Sequence, residues 1–266
     1  GNCSAGAISE YNNSSWKDLM TSINGNEITY DGAGNPLNYV GSNLFGLRVS
    51  GDMTWSGKNL ISFKDTENSL YYEYKYNADG LRTQKKIYSI KSDGSYQLTS
   101  CIDYIWENDI IAGYNMSSYE NDQIKSFLSV KPVYDNNNSL MGMIYDIPGD
   151  TPEDTKTITV PVLKDGLGNI TDVYTNIADT KLMFHYDYDA YGNCYLNFSG
   201  LNFNEINTGS IVLDVILALI IAIALAAVLA GIVVLAQQNY RGYLYDSETG
   251  LYYNQTRYYS PAWCRF

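Results

Sequence analysis

The sequence predicts a mainly β protein, built from antiparallel hairpins that repeat, with one long hydrophobic α-helix. Three observations carry this. Tyr is over-used, with 26 Tyr against 7 Phe and 4 Trp, and Tyr favours strands. Short runs rich in Tyr, Ile, Val and Thr alternate with Asp, Asn and Gly clusters, the pattern of strands joined by tight turns. Residues 215–236 read VILALIIAIALAAVLAGIVVLA, a run with no polar side chain.

The 266 residues carry 17 Lys plus Arg and 29 Asp plus Glu, a formal net charge of −12. Apolar residues at 45% and charged residues at 17% suit a packed core and not a disordered chain. The acidic balance excludes a nucleic-acid binder, which needs a basic stripe. A single His, His185, excludes a site drawing two imidazoles from one chain. Cys3, Cys101, Cys194 and Cys264 lie far apart without zinc-like spacing, and they read as single thiols.

Taken in order, residues 1–25 are poorly patterned. Residues 26–200 form the repeat region. Ile28-Thr29-Tyr30-Asp31 leads into Gly32-Ala33-Gly34-Asn35. Tyr74-Lys75-Tyr76-Asn77 leads into Ala78-Asp79-Gly80-Leu81-Arg82. Val162-Leu163-Lys164-Asp165 leads into Gly166-Leu167-Gly168-Asn169. Tyr186-Asp187-Tyr188-Asp189 leads into Ala190-Tyr191-Gly192-Asn193. A degenerate copy, Val133-Tyr134-Asp135-Asn136-Asn137-Asn138, has Asn138 in the glycine place, and residues 115–131 are ambiguous.

Each copy specifies a hairpin. A strand usually ends at Tyr, and Asp or Asn opens the turn through its side-chain oxygen. Gly three residues later supplies the positive φ that closes a type I turn with a bulge. Asn138 tolerates that φ less well than Gly. Alternating Tyr rings are expected to lie against neighbouring hairpins with their hydroxyls at the wet edge. One hairpin cannot hold itself together, so a stack is required.

Residues 211–238 are read as the hydrophobic helix. Its 215–236 run would span about 33 Å, enough for a bilayer core, and it lies too far along the chain to be a signal peptide. The two readings are a membrane helix, which the length favours, and a wholly buried helix inside a large β shell. Ala218, Ala222, Ala226 and Ala230 share one face, as small residues do where helices approach in lipid, or simply as Ala filling a lipid-facing helix. Arg241, just after the run, votes for a cytoplasmic C-terminal side.

Residues 239–266 run Tyr240-Arg241-Gly242-Tyr243-Leu244-Tyr245-Asp246-Ser247-Glu248-Thr249-Gly250-Leu251-Tyr252-Tyr253, then Arg257-Tyr258-Tyr259-Ser260-Pro261 and Arg265-Phe266. This segment resembles the Rhs repeat-associated core, and the hairpin copies resemble the tyrosine–aspartate (YD) repeats of the same family of bacterial polymorphic toxins. The resemblance is close over residues 240–266 and loose over 26–200. It implies a fragment of an Rhs-type β-shell that encloses a toxin, a truncated core hairpin that plugs the shell, and an aspartate-dependent self-cleavage. Three features depart from it. No Asp-Pro-x-Gly stretch follows Phe266, Ser260 stands in place of an Asp with Cys264 in a usual glycine place, and the apolar run interrupts the approach to the core.

The function expected is structural: part of an Rhs-like shell for toxin encapsulation, delivery or cell-surface contact. The alternatives are a membrane-tethered Tyr-rich module that binds carbohydrate or another cell, and a self-cleaving core, disfavoured because its catalytic segment is absent. No enzyme activity, catalytic residue, cofactor or metal is assigned. The expected partners are a membrane through 215–236, a toxin cargo or carbohydrate, and further copies of the chain, with no nucleic acid. The expected location is the bacterial envelope, the cell surface or the exterior. A calcium loop counted from Asp187 fails at its twelfth position, Phe198, where a bidentate acid is needed. His185 reads as a strand residue, residues 150–154 as a solvated acidic loop, and Arg241 with Asp246 as an exposed ion pair across the core hairpin.

Overall fold

The computed structural model describes residues 8–42, 46–148, 155–175, 181–197, 242–246 and 248–265. Three antiparallel sheets account for the regular structure there. The first is small: β1 (Ser9–Glu10), β2 (Ser22–Ile23) and β3 (Asn26–Glu27). It draws two strands from the poorly patterned 1–25 segment.

The second sheet has 13 strands in unbroken sequence order. These are β4 (Asn38–Ser42), β5 (Arg48–Ser56), β6 (Asn59–Asp65), β7 (Leu70–Tyr76), β8 (Arg82–Ile90), β9 (Tyr96–Glu107), β10 (Ile110–Glu120), β11 (Gln123–Tyr134), β12 (Leu140–Ile147), β13 (Lys156–Lys164), β14 (Ile170–Thr175), β15 (Lys181–Tyr188) and β16 (Cys194–Asn197). Residues 115–131, ambiguous in sequence, supply most of β10 and the first part of β11. The third sheet is the core segment: β17 (Leu244–Asp246), β18 (Leu251–Asn254) and β19 (Arg257–Tyr259).

The repeat turns form as their chemistry dictates. In the turn after β13, the Gly168 N–H donates to Asp165 O, and the Asp165 N–H donates to Asn169 O. The Asp165 carboxylate accepts the N–H groups of Leu167 and Asn169 and the Asn169 side-chain amide. Asp31, Asp135 and Asp189 accept the same pair of backbone N–H groups, and the Asn77 side-chain oxygen does so in its turn. Asn138 adopts φ 59°, where the other copies use Gly. A register shift follows at Lys75/Tyr76, Val133/Tyr134 and Leu163/Lys164, the bulge such turns impose. One further turn of this form, Lys91-Ser92-Asp93-Gly94-Ser95, lacks the Tyr-Asp signature.

In a meander successive turns fall at alternate ends. The turns at 31–35, 77–81, 135–139, 165–169 and 189–193 therefore share one end of the sheet, and the Lys91 turn lies at the other. At the shared end the Tyr that precedes the Asp or Asn in every copy but Lys164-Asp165 has a common task. Tyr76, Tyr134 and Tyr188 donate their hydroxyls to Leu60 O, Ile111 O and Ile170 O, the first or second residue of the strand that follows the preceding turn at that end. Tyr30 donates to Met20 O. The wet-edge expectation for these hydroxyls is thus corrected: each ties one hairpin to the one before it.

The inner face of the large sheet is aromatic and aliphatic. Tyr39, Phe63, Tyr72, Tyr74, Ile87, Ile102, Tyr104, Tyr114, Val130, Met143, Tyr145, Val160 and Tyr186 are buried. They alternate with outward residues because strand side chains have period two. The core segment packs against this face. Trp263 Nε1–H donates to Val40 O in β4, and the Tyr252 hydroxyl donates to Gly192 O in the turn before β16. A flat sheet of this size would be roughly 55 Å across at about 4.8 Å per strand, so the sheet must curl around the core segment for both contacts to exist.

The described residues contain no helix, and none that is long and apolar enough to cross a membrane. The 215–236 run and Arg241 lie outside the described residues. Cys101, Cys194 and Cys264 take part in no disulfide, and Cys3 lies outside.

Candidate functional site

The most concentrated chemistry among the described residues lies where β8 meets the core segment. The Asn77 turn sets Arg82 as the first residue of β8 and Lys85 three residues on, both facing inward and buried. The core hairpin supplies Asp246 at the end of β17 and Glu248 in the turn that follows, also buried.

Arg82 binds Asp246 with both prongs, Nη1 to Oδ1 at 2.7 Å and Nη2 to Oδ2 at 2.8 Å. Its Nη2 also donates to the Tyr258 hydroxyl at 2.7 Å. Lys85 Nζ donates to Asp246 Oδ1 at 3.1 Å and to Glu248 Oε1 at 2.7 Å. The Arg82 guanidinium lies over the Tyr74 ring at 4.6 Å and the Tyr253 ring at 4.4 Å, geometry that favours a cation. The Arg82 N–H donates to the Tyr253 hydroxyl, which donates in turn to Gly80 O. The Arg82 carbonyl accepts Trp106 Nε1–H.

Two cations and two carboxylates balance in charge. Burial opposes the charge on Arg82, but Asp246 together with Tyr258 and Tyr76 outweighs it and the pKa rises. Burial likewise opposes Lys85, and Glu248 and Asp246 together raise its pKa. Burial would lift the Asp246 carboxyl, yet Arg82 and Lys85 hold it below its ordinary value. At Glu248, burial and the neighbouring Asp246 carboxylate outweigh Lys85, and its pKa sits above its ordinary value. Arg82 Nε and the Tyr72 and Tyr74 hydroxyls are buried without a hydrogen-bond partner, so the cluster is not fully satisfied.

The expectation of an exposed Asp246 is corrected by this geometry, while Arg241, its expected partner, lies outside the described residues. Asp246 is buried, and its partners come from the repeat sheet. The reason is topological: the core hairpin lies inside the curl, where β8 presents its two inward cations. Arg82 was legible as part of a repeat copy, but neither it nor Lys85 carried a sequence signal for this role beyond being basic at inward positions.

Further ties from the core segment reach the turns of the shared end. The Tyr259 hydroxyl donates to Tyr191 O, Gln255 Nε2 to Asp109 O, and Tyr252 to Gly192 O. His185 bridges Asp172 (Nδ1···Oδ1 2.7 Å) and Asp187 (Nε2···Oδ1 3.2 Å). The hydrogen bond from Asp172 leads in raising its pKa, against the opposing effect of burial. The Asp189 carboxylate is used by its own turn, and among the described residues no group of three His, Cys, Asp or Glu could hold a metal ion.

No family model matches the sequence, and no curated protein matches it. Solved structures do. TcdB2-TccC3 aligns with 92% of this chain and 9% of that chain at 14% identity and a TM-score of 0.50. TcdB2-TccC3-TEV aligns with 90% of this chain and 12% of that one at 15% identity and a TM-score of 0.53. TcdB2-TccC3 without its hypervariable C-terminal region aligns with 89% and 12%, at 15% identity and a TM-score of 0.53. Identity this low shows a fold, here an Rhs-like antiparallel β-sheet. The chain spans about a tenth of the length of the chains it matches.

Proposed function

We propose that this chain is a structural part of an Rhs-like YD-repeat shell, serving toxin encapsulation or delivery, or contact at the surface of a bacterial cell. One observation carries the reading: a repeat sheet curls around a core segment and is locked to it by buried charges from both. Such a sheet has an inside, and its two edge strands, β4 and β16, allow it to extend by further hairpins.

The test is protease protection of the natural gene product. Polypeptide enclosed by the sheet is expected to survive a protease that digests it once Arg82→Met and Lys85→Met have loosened the core segment. Equal digestion of both forms overturns the shell.

The reading gives the core hairpin no catalytic task. Asp246 is ionised, buried and held by two cations, which leaves it neither a proton to give nor room to attack. Purified protein is expected to keep its full mass on incubation. Mass spectrometry showing a discrete self-generated cut that Asp246→Asn abolishes reverses this assignment.

A further inference from the structure

A cavity of about 560 Å³ opens between the 31–35 turn, the β5–β6 turn and the end of the core segment. Its volume falls within the roughly 300–1,000 Å³ of sites that hold small organic molecules. Its walls include Trp16, Tyr30, Trp55, Tyr258 and Trp263. Most of their polar atoms are already engaged. Trp55 Nε1–H donates to Pro36 O and Trp263 Nε1–H to Val40 O. The Tyr30 hydroxyl donates to Met20 O, and the Tyr258 hydroxyl accepts from Arg82. What these residues have left for a ligand is ring surface.

Trp16 lies against Gly34, where an added Cβ would come within 2.7 Å of the ring, and it is 51% exposed. Lys58, Arg257 and Arg265 also line the cavity, against one acid, Asp18. In a chain of net charge −12 this is a local reversal of sign, and it favours an anion.

We propose that this cavity binds a small aromatic acid, a planar apolar body carrying one carboxylate. The body stacks on Trp16 and Trp55, and the carboxylate pairs with Lys58 at the mouth. The proposal stands independently of the shell.

Three of the four tryptophans line the cavity, so their fluorescence reports on it. Naphthaleneacetate and its neutral counterpart naphthalenemethanol are titrated into the full chain, with calorimetry in parallel. The acid is expected to bind with a Kd of about 10–100 μM, and the alcohol about ten-fold more weakly. Trp16→Ala and Lys58→Glu should each weaken the acid about ten-fold with the thermal midpoint unchanged, since both side chains are exposed. Absence of binding up to about 5 mM, as a cavity filled by another stretch of polypeptide would give, overturns the proposal. So does equal binding of acid and alcohol, or undiminished binding by both variants.

Discussion

Lys85 and Glu248 show how a buried charge is kept in this protein: each is 4% exposed or less, and they meet at 2.7 Å. Removing Lys85 takes from the Glu248 carboxylate its cation in a place water cannot reach. Lys85→Met is therefore expected to cost about 3–5 kcal/mol, measured from the urea midpoint. Adding Glu248→Met should recover most of that loss, because apolar groups of similar volume often replace a buried pair without penalty. A double variant no more stable than the single one would contradict the pairing. His185 gives a second measurement at this scale, and as the only imidazole its proton resonance needs no assignment. Its pKa should lie above the ordinary 6.5 and fall back in Asp172→Asn. The folded state holds that proton more tightly, so the stabilisation is full below the unfolded value and is lost as pH rises through the folded one. Neither pairing was legible in the chain. Glu248 lies 163 residues from Lys85, and Asp172 meets His185 only once β14 and β15 are in register.

The hairpin turn was the most legible element, because Asp and Gly act within five residues of each other. The turns opened by Asp31, Asn77, Asp135, Asp165 and Asp189 all formed as their residues require, whereas the Lys91 turn escaped notice for want of an Asp or Asn to open it. What local pattern could not show is why Tyr precedes the acid. That hydroxyl bonds to the previous hairpin, and its target becomes visible only when the sheet is assembled. Asn138 holds a left-handed φ with a side chain, so Asn138→Gly is expected to stabilise the protein by roughly 0.5 kcal/mol. Gly168→Ala should do the reverse by about 1–2 kcal/mol. Gly168 has φ +85° and open space where a Cβ would go, so that cost is purely conformational. Equal thermal midpoints for Asn138→Gly and Gly168→Ala would refute the argument.

At the scale of the whole molecule, the mainly β class and the stacking of hairpins followed from composition and period, while the curl did not, since it depends on what the sheet surrounds. The edges β4 and β16 present main-chain groups to any matching strand. The isolated chain is therefore expected to self-associate, and a monodisperse monomer by light scattering would count against it. The buried lock also sets an order in time. Arg82 and Lys85 leave the ribosome well before Asp246 and Glu248, and 164 residues at about 5–20 per second amount to roughly 8–33 s. Through that interval two cations destined for the interior have no carboxylates to meet, and burying them would be unfavourable. The nascent sheet must stay open on that side until its last strands are made. Closure is thus a late step, and Arg82 and Lys85 hold the growing structure ajar until the core segment arrives.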